Sequence, residues 1–141
     1  MRIIAMLFLG LTLAACGGEQ TKSEAPSTGS TQSVAGDVVT TGEFSGLSEH
    51  ITTGDVTIKK AEDGYYVVLE ENFSLDGAPD PKLGFGNSGE YDIESQFSVL
   101  NKKTGYQSYK LPADIDPTQY NEIYVWCEQF SVPLGVASIN S

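Results

Sequence analysis

The stretch Ile123-Tyr124-Val125-Trp126-Cys127-Glu128-Gln129-Phe130, followed by Val132, Gly135, Ala137 and Ile139, decides the fold. Side chains alternate along a strand, so Ile123, Val125 and Cys127 share one face while Tyr124 and Trp126 share the other. Both faces are apolar. Such a strand lies at the centre of a sheet, or where aromatic rings build a second cluster behind it. Cys127 is therefore expected to point into or near the core.

The same texture recurs outward from this stretch. Val56-Thr57-Ile58, Tyr65 to Leu69, Ile93 to Leu100, Tyr106 to Leu111 and Val132 to Ile139 are short, β-branched or aromatic, and partly alternating. Turn residues separate them at Thr53-Gly54-Asp55, Glu62-Asp63-Gly64, Asp76-Gly77-Ala78-Pro79, Asn87-Ser88-Gly89 and Lys102-Lys103-Thr104-Gly105. No sustained helical period occurs, although Pro117 to Asn121 is expected to form one turn, with Asp116 as N-cap and proline at the first position. The expected fold class is all-β, a single antiparallel β-sandwich or small β-barrel. Leu75 to Gly89, rich in Gly, Pro and Asp, reads as one long loop of the kind that carries binding surfaces.

Arg2 precedes an apolar run from Ile3 to Leu13 that is too short to span a bilayer, so residues 1–15 read as a signal peptide. The run ends in Leu13-Ala14-Ala15-Cys16-Gly17, which resembles the bacterial lipobox. That resemblance implies cleavage before Cys16 and covalent diacylglycerol and acyl lipid on its thiol. One acyl chain holds a protein only reversibly, whereas two or three make a durable membrane anchor. The expected address is extracytoplasmic and membrane-anchored, at the outer membrane facing the periplasm in a Gram-negative cell, because Gly17 in place of aspartate permits export. Residues 16–36 are Gly, Ser, Thr, Gln, Glu and Lys with little apolar content, and they read as a lipidated, disordered linker with a reach of roughly 25 Å. Residues 37–141 then form the single β domain.

With 8 Lys and Arg against 19 Asp and Glu, the formal charge is −11. Phosphate neutralisation needs clustered cations that this chain lacks, so nucleic acid is excluded as a partner and anionic headgroups are disfavoured. The cysteines are Cys16 and Cys127. If lipid occupies Cys16, Cys127 has no intramolecular partner, and in an oxidising compartment its thiol is buried, used, or paired with another molecule.

Two readings of Cys127 follow from the residues alone. It is a buried small hydrophobe with an inert thiol, or it is a redox or metal-binding thiolate. His50 is the only histidine, in Ser48-Glu49-His50-Ile51-Thr52. It is either a turn residue bonded to its neighbours or the nitrogen partner of Cys127 in a mixed transition-metal or haem site. A conventional hydrolase is disfavoured, because there is neither a Gly-x-Ser-x-Gly elbow nor a His-Glu-x-x-His helix. Asp76, Asp80, Glu90 and Asp92 bracket the long loop without EF-hand spacing and read as solvated turns rather than a calcium site.

Taken in order, several segments resemble the DM13 domain, an extracytoplasmic β-rich module. They are Gly42-x-Phe44, His50-x3-Gly54, Tyr66-Val67-Val68-Leu69 with Phe73, and Gly77-Ala78-Pro79-Asp80. Later come Gly105-Tyr106-Gln107-x-Tyr109-x-Leu111-Pro112, Tyr120, Val125-Trp126-Cys127-x2-Phe130 and Gly135-x-Ala137. After Asp80, members continue with a hydrophobic strand, whereas Pro81-Lys82-Leu83-Gly84-Phe85-Gly86 reads here as loop. The resemblance implies electron transfer through the family's single characteristic cysteine, whose position Cys127 occupies. It implies His50 as a possible companion, with Trp126, Tyr124, Phe130 and Asp80 in supporting places.

The expected function is that of a membrane-anchored redox accessory module rather than a stand-alone enzyme. Its cofactor is open between none, haem and a transition metal, and its partner is an envelope redox protein or cytochrome. The alternative is a non-catalytic envelope binding module in which Cys127 only fills the core.

Overall fold

The computed structural model describes residues 33–140. The expected signal peptide, the lipidation site Cys16 and most of the linker lie outside the described residues. Strands follow in chain order as β1 (Asp37–Gly46), β2 (Thr52–Thr53), β3 (Asp55–Ala61), β4 (Gly64–Leu69), β5 (Ser74–Leu75) and β6 (Pro81–Asn87). They continue as β7 (Glu90–Tyr91), β8 (Ser98–Val99), β9 (Gln107–Lys110), β10 (Glu122–Cys127) and β11 (Val132–Ser138). One antiparallel sheet runs β7-β6-β10-β11-β1-β3-β4-β9, with β8 also on β6, while β2 and β5 form a separate ribbon. The large sheet curls strongly into a half-barrel, and the all-β expectation is borne out.

β10 lies between β6 and β11, as its two apolar faces require. Ile123, Val125 and Cys127 project into a core shared with Val56, Ile58, Val67, Leu69, Phe73 and Leu134. Opposite them on the inner face of β6 are Leu83 and Phe85, both fully buried. Phe85 packs between Phe97, at 5.3 Å between ring centroids, and Tyr120, at 5.2 Å.

The register of β10 on β11 shifts between Val125, opposite Gly135, and Trp126, opposite Pro133. The extra residue is Leu134, so this is a β-bulge. The carbonyl freed there accepts the Leu47 amide at 3.0 Å and the Thr52 hydroxyl at 2.8 Å. A ladder defect thus anchors the connection that carries His50.

Three sequence expectations are corrected. Leu75 to Gly89 is not one loop, because β6 runs through it and pairs with all of β10. Leu83 and Phe85 face inward while Lys82, Gly84 and Gly86 face outward, a period of two that the glycines concealed. Those glycines leave room for aromatic rings. A Cβ on Gly84 would lie 2.7 Å from the Tyr91 hydroxyl, and one on Gly86 would lie 2.7 Å from a Tyr124 ring carbon. The turn from β6 to β7 places Ser88 at φ 56° and Gly89 at φ 85°. Two positive φ values match the twist of a tight hairpin.

Ile93 to Leu100 is the second correction. It opens with a 3-10 helix over Ile93–Ser95, capped by the Asp92 side chain on the Glu94 amide, and only Ser98–Val99 is strand. Ile93 is 59% exposed, so its β-branched side chain marked no core position. Third, β10 ends at Cys127, which leaves Phe130 in the turn to β11. The sequence reading also passed over β1, where only Thr40 and Phe44 are buried in a mainly exposed pattern. The single turn at Pro117–Gln119 forms as expected, with Asp116 accepting the Thr118 amide.

Phe85→Ala removes a buried ring held between two others and is expected to destabilise the fold by about 3–5 kcal/mol. Ile93→Ala should stay within about 0.5 kcal/mol of the parent. Urea unfolding of the two variants measures both.

Candidate functional site

Cys127 ends β10 at the point where the chain leaves the sheet. It is 1% exposed and carries a free thiol. Residues 76–80, linking β5 to β6, cross the sulfur as a short strap. The Cys127 Sγ–H donates to the Pro79 carbonyl at 3.3 Å, and the Glu128 amide donates to the Asp80 carbonyl at 3.4 Å. Asp80, between two prolines, adopts φ 50°, a left-handed conformation uncommon outside glycine, asparagine and aspartate.

Charges hold both ends of the strap. At its far end Lys82 Nζ lies 2.8 Å from Asp80 Oδ1 and 3.1 Å from Glu128 Oε2, so one ammonium joins the strap to the residue after Cys127. The Asp80 and then the Glu128 hydrogen bonds raise the Lys82 pKa. At the near end His50 Nδ1 lies 3.0 Å from Asp76 Oδ1, while the Ile51 amide donates to Asp76 Oδ2 at 3.0 Å. The Asp76 amide in turn donates to the Ile51 carbonyl at 3.0 Å. The Ile51 amide first, and His50 second, keep the Asp76 carboxyl below the usual carboxylate range.

His50 and Cys127 therefore belong to one neighbourhood through the strap, each with its own partner. Among the described residues no group of three or more His, Cys, Asp or Glu side chains is placed to hold a metal ion. With its sulfur sealed in the core and bonded to a peptide carbonyl, Cys127 does not fit a haem or a metal while the strap is closed. The acidic residues between Asp76 and Asp92 are likewise dispersed. Asp76 bonds His50, Asp80 bonds Lys82, and Asp92 caps the 3-10 helix and accepts the Tyr120 hydroxyl at 3.2 Å.

On the outer face of the same strands lies the second aromatic cluster. Trp126 stacks on Tyr91 at 4.3 Å with planes 9° apart, and Tyr91 meets the edge of Tyr124 at 5.6 Å. Such offset and edge contacts suit the ring quadrupole. The Tyr124 hydroxyl donates to Glu122 Oε2 at 2.9 Å, and the Tyr91 hydroxyl donates to Gln96 Oε1 at 3.0 Å. Sequence reasoning named Trp126 and Tyr124 but missed Tyr91 and Lys82. Tyr91 sits on a two-residue strand with no pattern of its own, and Lys82 lay in a segment read as loop. Phe130 is 63% exposed in the turn beyond Cys127, an apolar ring presented to solvent beside the site.

Residues 43–139 match the family model described as electron transfer DM13. The match spans more than half of the chain, and the protein belongs to the DM13 electron-transfer family. No curated protein and no solved structure matches the chain.

The tethers at Asp76 set a pH dependence with a definite sign. A carboxyl whose folded pKa is depressed stabilises fully above its ordinary value of about 4, and that contribution disappears as pH falls through the lower folded value. Labelling of Cys127 by a pyridyl disulfide, which reacts in acid, should show protection at about pH 5 that is lost below about pH 4. Asp76→Asn should remove that step and speed labelling severalfold at neutral pH. His50→Gln should do the same more weakly, since the Ile51 amide remains.

Proposed function

We propose that this protein is a lipid-anchored electron-transfer module of the bacterial cell envelope in which the Cys127 thiol is the redox group. Family membership supports the electron-transfer class. One observation carries the choice of residue: the thiol lies beneath a strap whose two ends are tied by charged side chains. Trp126-Cys127 supplies the thiol, Ala78-Pro79-Asp80 covers it, and His50 ties down the start of the cover through Asp76.

Cys127 is the only free cysteine among the described residues, so an internal dithiol couple is not available to this domain. Its oxidation state changes against another molecule, for which an envelope redox protein or cytochrome is the partner class. Opening of the strap between Asp76 and Asp80 exposes the sulfur, and its closure protects the thiol from oxidants that are not the partner. Haem or a transition metal would have to enter through the same opening, with Cys127 and His50 as the first candidates to ligate it. The acidic surface steers a basic partner toward the domain. The exposed ring of Phe130 gives that encounter an apolar contact beside the thiol.

Lipid on Cys16 and the linker that follows it complete the proposal by fixing the domain near a membrane and its electron carriers. Mass spectrometry of the membrane-extracted protein is expected to show a mature chain starting at Cys16 with diacylglycerol attached. Cys16→Ser should leave an uncleaved, unlipidated precursor.

Two reduced molecules should each give one electron to an oxidised c-type cytochrome, followed by the haem absorption, while two thiol protons leave to solvent and the two Cys127 sulfurs join as an intermolecular disulfide, and Cys127→Ser should abolish the transfer. The second reading, a binding module with a structural cysteine, is favoured by the near-complete burial of Cys127. It predicts no cytochrome reduction by either protein and a loss of about 1–3 kcal/mol of stability in Cys127→Ala.

A further inference from the structure

Behind Cys127 the outer face of β10 holds more redox-capable chemistry than a packed surface requires. Trp126 is adjacent to Cys127 in the chain, its ring stacks on Tyr91, and Tyr91 touches Tyr124. Tyr91 and Tyr124 lie against Gly84 and Gly86 of β6, where a Cβ would collide with them. Tyr124 is 3% exposed, and its hydroxyl donates to the Glu122 carboxylate at 2.9 Å. The Gly89 amide donates to the same Glu122 oxygen at 2.8 Å, which orients the carboxylate toward the phenol.

Resting on the redox reading above, we propose that Tyr124 and Glu122 form a proton-coupled redox pair, with Tyr91 and Trp126 carrying the electron between that pair and the Cys127 end of the strand. A buried phenol loses an electron readily only if its proton has somewhere to go, and a hydrogen-bonded carboxylate is such a place. Tyr91 lacks this provision, since its hydroxyl faces the neutral amide of Gln96. Tyr66 and Tyr120 also bond carboxylates but are differently placed. Tyr66 bonds Asp63 on the exposed side of the β3–β4 turn, and Tyr120 bonds Asp92 while stacking on Phe85. Tyr124 combines burial, a carboxylate and ring contact leading back to Trp126.

Burial, and secondly the bond to Glu122, push the Tyr124 phenol up to about 12, so the group oxidised at neutral pH is the protonated phenol. The step conserves atoms and electrons. A one-electron oxidant takes one electron from Tyr124, the phenolic O–H bond breaks, and its proton forms an O–H bond on Glu122, leaving a neutral tyrosyl radical beside a neutral carboxylic acid. When Cys127 refills that vacancy with the strap open, the thiol gives up one electron along the rings and its proton to the water then admitted, becoming a thiyl radical, while Glu122 returns its proton to Tyr124, which is again a neutral phenol.

The test is flash photolysis of the full protein with a ruthenium polypyridyl complex, oxidised by a sacrificial acceptor to ruthenium(III), which then oxidises the protein. Transient absorption and electron paramagnetic resonance report the radical. A tyrosyl signal is expected in the parent protein and should be lost in Tyr124→Phe. It should form about a hundredfold more slowly in Glu122→Gln, where the proton acceptor is gone. Tyr91→Leu, which keeps Tyr124 and breaks the stack, should slow hole transfer from Trp126 and leave an indole radical in its place. Circular dichroism checks that each variant is folded. A tyrosyl signal that survives Tyr124→Phe, or formation that is unchanged in Glu122→Gln, overturns the proposal. The radical should outlive its parental lifetime in Cys127→Ala. An unchanged lifetime there counts against Cys127 as the redox group while the Tyr124–Glu122 pair stands.

Discussion

From Glu122 opposite Gly86 to Cys127 opposite Pro81, an unbroken antiparallel ladder joins β10 to β6, and both candidate chemistries hang on it. The inner face of the ladder builds the core, and its end sets Cys127 beneath the strap that leads into Pro81. On the outer face, Lys82, Gly84 and Gly86 form a furrow with one cation at its end. Tyr91 and Tyr124 lie in the furrow, Trp126 stacks on Tyr91, and the cation clamps Asp80 to Glu128. A slip of one residue would exchange the faces, exposing Cys127 and driving Tyr124 into the core. Register is therefore the constraint that separates a buried thiol from a stacked aromatic cluster on the same six residues.

The strap is a different kind of element. Its ends are tied by charged groups near solvent and its middle by peptide carbonyls, with little apolar burial to hold it. Segments with that balance open at lower free energy than the sheet that supports them. The closed state is consistent with an inert cysteine and equally with a guarded one. Membership of an electron-transfer family is the reason for proposing the guarded thiol.

Much of this was legible in the residues. The double-apolar stretch from Ile123 to Cys127 announced a central strand, an inward cysteine and an outer aromatic cluster. Asp116-Pro117 announced its capped turn. What escaped was β6, because the spaces that Gly84 and Gly86 leave for two tyrosines look, in one dimension, like the flexibility of a loop. Tyr91 and Lys82 escaped with it, since their roles depend on a strand pairing that no local pattern reveals. β1 escaped because its neighbours in the sheet, rather than its own hydrophobicity, make it a strand. His50 was recognised as a singular residue, but its carboxylate partner lies 26 positions away and only the fold joins them.

The central claim is that electrons enter and leave through Cys127, and protein-film voltammetry of the purified protein addresses it most directly. A reversible signal is expected in the parent protein, absent from Cys127→Ala and easier to observe when Asp76→Asn loosens the strap. A voltammogram identical in the parent protein and Cys127→Ala would contradict it, leaving a cysteine that only completes the core.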